Sequence, residues 1–245
     1  MPEPESSTAP SSSAVSKGPV VCVFCGARPG NAPAHMAAAR ALAHAFHAHG
    51  IRLVYGGGTV GIMGELAQTL VSLSGPESVH GIIPFALIKH EAGHPAESTA
   101  APISASSDPT DPSASPSTLS PVFGRTTVVK DMHTRKRTMA SEVMKGGPGG
   151  GFVALSGGYG TLEELMEVTT WNQLGIHGRP VVLFNVDGYW DGLWQWVEKA
   201  VEQGFVSEGS KGIMVQASDA EGVVKALIDY KVAEGRFGLD WGTEG

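Results

Sequence analysis

The feature that most constrains this chain is an alternation, repeated along its length, of short apolar runs with stretches of helical periodicity. Residues 19–25 (PVVCVFC), 51–55 (IRLVY), 79–84 (VHGIIP), 126–130 (TTVVK), 152–155 (FVAL), 181–186 (VVLFNV) and 212–217 (GIMVQA) are brief and mostly apolar or β-branched. Runs of that length and composition read as strands buried on both faces. Between the first two, Met36, Ala39, Leu42, Ala43 and Phe46 recur at helical spacing, with Pro33 near the start and Gly50 as the stop. Further helices are expected at 62–73, 132–145, 161–174, 190–203 and from 219 onward. Strand then helix, repeated, implies α/β architecture: a Rossmann-like, doubly wound parallel sheet with helices on both faces. Ligands of such sheets sit beyond the carboxyl ends of the strands, where strand order reverses. Chemistry is therefore expected in the loops after strands one, two, four and five.

Two stretches cannot join that core. Residues 1–18 contain six Ser and three Pro and no apolar face, and read as a disordered tail. Residues 92–121 hold eight Ser, six Pro, six Ala and three Thr, with Ile103 and Leu119 the only large aliphatics. Two such side chains do not offset the entropy of ordering the segment, so it reads as a flexible insert. Of the 245 residues, those at 19–240 are expected to form one domain interrupted at 92–121. The formal net charge of −7 argues against bulk attraction to nucleic acid or anionic membrane. No apolar run reaches the roughly 18 residues of a bilayer span. The Ser-rich, acidic N-terminus lacks the basic and apolar regions of a signal peptide, and two cysteines form no disulfide framework, so a cytoplasmic location is the expectation.

Cys22 and Cys25 spell C-x-x-C, but an offset of three within a strand puts the side chains on opposite faces. A redox pair needs a helix N-terminus instead, and a zinc site a second ligand pair; structural cysteines are expected. The nine histidines, three of them (His44, His47, His49) on one helix, follow no metal-binding spacing, so no metal is expected. Gly56-x-Gly58-x-x-Gly61 lies between a strand and a helix and has the form of a dinucleotide fingerprint. It follows the second strand rather than the first, and no acidic residue ends the next strand at Pro84, so it is weak evidence for NAD. It suits an anion near exposed backbone N–H groups, or simply a tight turn. Residues 156–164, SGGYGTLEE, form a second glycine-rich strand-to-helix loop. Thr161-x-x-Glu164 fits a capping box with Thr161 as N-cap, while the adjoining glycines expose N–H groups at the sheet edge. Asp131 is placed as an N-cap ahead of His133, Arg135, Lys136 and Arg137. Cations there oppose the helix dipole, which suggests that anions meet them, and Arg135 is expected to pair with Glu164.

Together, GGGTVGIMG, DMHTRKR and SGGYGTLEELMEVTTWNQLGIHGRPVVLFNVDGYWDGL resemble the LOG (Lonely Guy) family of cytokinin riboside 5′-monophosphate phosphoribohydrolases, whose hallmark is P-G-G-x-G-T-x-x-E with an upstream M-H-x-R-K. The resemblance runs from about Val20 to Gln203. It implies release of free base and ribose 5-phosphate from N6-substituted AMP, with AMP itself a further candidate substrate, by a homodimer that needs no cofactor. It places catalysis on Arg135 and Glu164, with Lys136 and Met132 beside them. It assigns the 5′-phosphate to Gly157, Gly158, Gly160 and Thr161, flanked by Ser156 and Tyr159. By the same likeness Thr170 and Gly57-Gly58-Thr59 line the nucleotide site, and Glu91 contacts substrate. Ser156 replaces the motif proline, Ala27-Arg28 stands where many members have two serines, and KGGPGGG (145–151) lengthens one connection. Members are often labelled lysine decarboxylases, but no lysine here has the context of a Schiff-base residue. The alternatives are a nucleotide- or molybdopterin-binding carrier of the same fold and, on the Gly56 loop alone, an NAD-dependent dehydrogenase.

Overall fold

The seven apolar runs form one parallel sheet in the computed structural model, which describes residues 18–88 and 120–241. The strands are β1 Val20–Phe24, β2 Arg52–Tyr55, β3 Val79–Pro84, β4 Arg125–Val129, β5 Gly151–Ala154, β6 Val181–Phe184 and β7 Met214–Ala217. Between and after them lie α1 Pro33–Ala48, α2 Gly61–Ser74, α3 Met132–Lys145, α4 Tyr159–Gln173, α5 Asp191–Glu202, the four-residue α6 Glu208–Lys211 and α7 Ala220–Asp229. The short α6 was not anticipated: four residues are too few to show a period. The tail at 1–17 and residues 89–119, which include Glu91 and most of the expected insert, lie outside the described residues. β3 and β4, which flank that segment, are hydrogen-bonded neighbours.

Strand order is β4-β3-β2-β1-β5-β6-β7. The chain steps outward from β1 to β4, then returns to lay β5 against the other side of β1. Order therefore reverses between β1 and β5, and the crevice for a ligand opens beyond their carboxyl ends. Side chains alternate across the strands into two cores. One face buries Val21, Val23, Leu53, Tyr55 and Val153 under α1, α2 and α7; the other buries Val20, Cys22, Phe24, Phe152 and Leu183 under α3, α4 and α5. Cys22 and Cys25 fall on opposite faces, as their spacing requires.

The glycine-rich connection 145–151 is held by a cation. The Arg179 guanidinium donates to the carbonyls of Met144 (3.1 Å), Gly146 (2.8 Å) and Gly147 (3.1 Å), satisfying groups at the C-terminus of α3. The backbone N–H of Arg179 donates to His177 Nδ1 at 3.1 Å, while His177 Nε2 donates to the Val168 carbonyl at 2.8 Å. A ring that accepts at one nitrogen and donates at the other is neutral. Burial, with a smaller push from Arg236 and Arg179, lowers its pKa from 6.5 to about 4, against the opposing pull of the Val168 bond.

Between pH 6.5 and 4 the unfolded imidazole is protonated and the folded one is not, so stability rises with pH across that window and falls as the solution is acidified through it. The expected cost on going from pH 7 to 4 is about 3 kcal/mol. Chemical denaturation of wild type and His177→Gln across that range checks this, with a shallower pH dependence expected in the variant.

Candidate functional site

Three strand-to-helix loops meet at the reversal point because their glycines lack side chains. The β1–β5 ladder continues past the strand ends: Leu155 N–H donates to the Phe24 carbonyl (3.0 Å) and Gly26 N–H to the Ser156 carbonyl (3.0 Å). A Cβ on Gly26 would lie 3.4 Å from Gly157 Cα. Met63 N–H then ties the start of α2 to the Gly26 carbonyl at 3.3 Å. Gly61, at φ +60°, is pressed against the Ala27–Arg28 peptide, where any side chain would collide with backbone.

A cleft of about 230 Å³ opens where these loops converge, lined in part by Gly26, Gly56, Met63, Met132, Arg135, Gly158, Gly160, Thr161 and Glu164. Arg135, on the second turn of α3, and Glu164, on α4, are 6% and 8% exposed. The expected pair is thus brought to one cleft from two different helices. Both act on the thiol of Cys22 beneath them: burial chiefly drives its pKa up, Glu164 adds to the rise and Arg135 opposes it. Arg135 is set by two neighbours. Its Nη1 reaches the Met132 sulfur at 3.7 Å, and its Nη2 occupies the space that a Cβ on Gly56 would need. Asp131 caps α3 as expected, accepting from Thr134 N–H at 2.7 Å.

The 156–164 loop differs from its expected geometry in one respect. Helix α4 starts at Tyr159 with Gly158 as N-cap, so Thr161 is not the cap but a buried residue of the first turn. The reason is steric: Thr161 Oγ1 lies over Gly157, in the place of a missing Cβ, and this lets the helix begin three residues early, with the cap at Gly158. No side chain caps the helix and its first turn carries no acid, so Glu164 is not a capping residue either. Tyr159 projects outward, 94% exposed.

A second cavity of about 330 Å³ adjoins the first at Gly26, Ala27 and Gly158, and adds Arg28, His35, Ile62, Ser156, Gly157 and Tyr189. Side by side, the two approach the size of ordinary small-ligand sites, roughly 300–1,000 Å³. Not every expected residue lies here. Lys136 is drawn to α4, where its ammonium pairs with Glu163 (2.6 Å) and Glu167 (3.1 Å); these partners raise its pKa against the lowering effect of burial. Thr170, on the last turn but one of α4, donates to the Met166 carbonyl at 2.8 Å and lines neither cavity. From the β2–α2 loop it is Gly56 that faces the first cleft; Gly57 (φ +79°) makes the turn against Ile82 and Ile83, and Gly58 packs on Met63. Glu91 lies outside the described residues. Conversely Cys25, Met63, His35 and Tyr189 were not singled out as site residues from the sequence. Among the described residues no group of three or more His, Cys, Asp or Glu is placed to hold a metal.

A family model described as "Possible lysine decarboxylase" matches residues 63–227. A "Bifunctional cytokinin biosynthesis protein" of Fusarium pseudograminearum is 52% identical over 91% of this chain, which spans only 42% of that longer relative. A "Probable cytokinin riboside 5′-monophosphate phosphoribohydrolase" of Oryza sativa subsp. japonica is 39% identical, with 91% of this chain and 90% of the relative covered. Among solved structures, the molybdenum cofactor carrier protein of Chlamydomonas reinhardtii superposes with a TM-score of 0.54 at 18% identity, covering 86% of this chain and 96% of that one. At that identity the likeness speaks for the fold alone.

The two cysteines should differ in reactivity. Cys25 lines the cleft at 8% exposure, while Cys22 is fully buried with its thiol kept protonated. In the native protein a small disulfide reagent is expected to modify Cys25 slowly and Cys22 not at all until unfolding. Cys25→Ser should then abolish the native-state reaction and Cys22→Ser leave it in place, as followed by absorbance.

Proposed function

The chain belongs to the LOG family of cytokinin riboside 5′-monophosphate phosphoribohydrolases, and on that footing we propose that it hydrolyses the N-glycosidic bond of N6-substituted adenosine 5′-monophosphates, releasing the free base and ribose 5-phosphate. The observation that carries this reading is the burial of Arg135 and Glu164 at one cleft, beside a glycine-rich loop that opens a helix. An anion at that loop meets backbone N–H groups and the positive end of the α4 dipole. With the phosphate fixed there, the ribose lies over Glu164. The C1′–N9 bond breaks and its electron pair leaves on the base; water adds its oxygen to C1′, and its proton passes by way of the Glu164 carboxylate to the departing base, which restores the carboxylate. The same carboxylate offsets the positive charge that develops on the ribosyl ring. Arg135 orients Glu164 and offsets negative charge on the departing base or on the phosphate.

Among the described residues no lysine lines either cavity, which weighs against a decarboxylase built on a Schiff base. A buried arginine and glutamate facing one cleft favour hydrolysis over a carrier that only binds a nucleotide or molybdopterin. The reading extends to a homodimer, supported by exposed Tyr159, Leu162 and Trp196 around a shallow apolar groove next to the loop. Trp171, farther along the same helix α4, takes no part in that contact, because it packs on the second core. A cytoplasmic location and a single domain over 19–240 complete the proposal; no described helix is long and apolar enough to cross a membrane.

Incubation with isopentenyladenosine 5′-monophosphate is expected to release free base, and binding without release would overturn the enzymatic reading. Glu164→Gln should lower kcat by about 10²–10⁴-fold with little change in nucleotide affinity. Gly56→Ala places a methyl group where Arg135 Nη2 sits, and should cost activity on the same scale while Gly158→Ala, which opens into empty space, leaves the fold intact. Steady-state kinetics and thermal melts of the three variants decide this.

A further inference from the structure

The glycine-rich loop is held from outside by side chains that take no part in the reaction described above. Ser156 Oγ meets His35 Nδ1 at 2.9 Å, from the first turn of α1 and 121 residues away in sequence. The next carbonyl, that of Gly157, accepts a hydrogen bond from the Tyr189 hydroxyl. The His35 and Tyr189 rings themselves meet edge to face, with centroids 5.7 Å apart and planes at 79°. Three loops, after β1, β5 and β6, are thereby joined by one small polar and aromatic cluster.

Each partner is itself fixed. Gly30, at φ +74°, lies so close to the His35 ring that a Cβ would come within 2.8 Å of Cδ2. Tyr189 is aimed by the turn after β6, where Asp187 at φ 49° is the only described non-glycine residue with positive φ and Gly188 follows at φ +75°. A left-handed residue persists only where its surroundings over-determine it. Here Asn185 supplies that: its Oδ1 accepts from Trp190 N–H and its Nδ2 donates to Asp191, both at 2.7 Å. Trp190 stands edge-on to Tyr189 at 5.0 Å and donates to the Ala154 carbonyl at 3.3 Å, at the end of β5.

We propose that His35 and Tyr189 are positioning residues: their clasp on Ser156 and Gly157 fixes the height and tilt of the loop whose following residues receive the 5′-phosphate. The inference rests on the reading of the loop as the phosphate site. Loosening the clasp lets the loop sample other heights, so a phosphate-bearing ligand loses more affinity than one that carries no phosphate. A merely structural role would weaken both alike.

Calorimetry with ribose 5-phosphate and with free adenine as separate probes tests this without depending on turnover. In His35→Ala the Kd for ribose 5-phosphate is expected to rise about tenfold and that for adenine to stay within twofold. His35→Asn, which keeps a polar group near Ser156 Oγ, should recover most of the loss. Tyr189→Phe retains the ring and removes only the hydroxyl, and should shift the same Kd in the same direction even if His35→Ala folds poorly. Equal changes for both probes, or none in Tyr189→Phe, would overturn the clasp. Failure of wild type to release base, with the Kd split intact, would instead overturn the hydrolase reading alone.

Discussion

The site depends on one hydrogen bond that continues the sheet past its own strands. When Gly26 N–H donates to the Ser156 carbonyl, the loops after β1 and β5 run side by side instead of diverging. Everything nearby follows from that close approach. Gly157 must lack a side chain because Thr161 Oγ1 occupies the place of its Cβ, and Gly61 must lack one because α2 enters against the Ala27–Arg28 peptide. A loop compressed in this way presents backbone rather than side chains, and backbone N–H groups are what a phosphate requires. The acid and the cation then come from the flanking helices, Arg135 on α3 and Glu164 on α4.

Much of this was legible in the sequence, because burial on both faces of a parallel sheet leaves a pattern that other contexts do not imitate. All seven apolar runs are strands, and the three-residue offset between Cys22 and Cys25 does put them in different cores. Asp131 caps α3 because that signal is local: a side chain reaching an N–H three residues on. The misreading of Thr161 has the opposite character. A threonine three residues before a glutamate has the form of a capping box, yet the absence of a Cβ at Gly157 let the helix start earlier and buried Thr161 instead. Local pattern gave way to a packing relation that no window of the sequence displays.

The same limit explains Lys136 and His35. Three consecutive cations on α3 suggest a common target, but a helix sends successive side chains about 100° apart, so Arg135 faces the cleft while Lys136 faces Glu163 and Glu167 on α4. His35 leaves no local signal, because histidine spacing along the chain bears on metal binding and not on contacts with distant loops. Its partners, Ser156 and Tyr189, lie more than a hundred residues away, and nothing but the strand order β1-β5-β6 brings them together.

In the proposed complex a nucleoside monophosphate lies across this crevice with its phosphate on the 157–161 loop and its ribose at Glu164. A crystal structure of Glu164→Gln soaked with isopentenyladenosine 5′-monophosphate tests it most directly. Phosphate density is expected against Gly157, Gly158 and Gly160, with C1′ within direct or one-water reach of residue 164 and beside Arg135. A nucleotide bound instead with its phosphate on the Gly56–Gly61 turn, and its ribose away from residue 164, would contradict it.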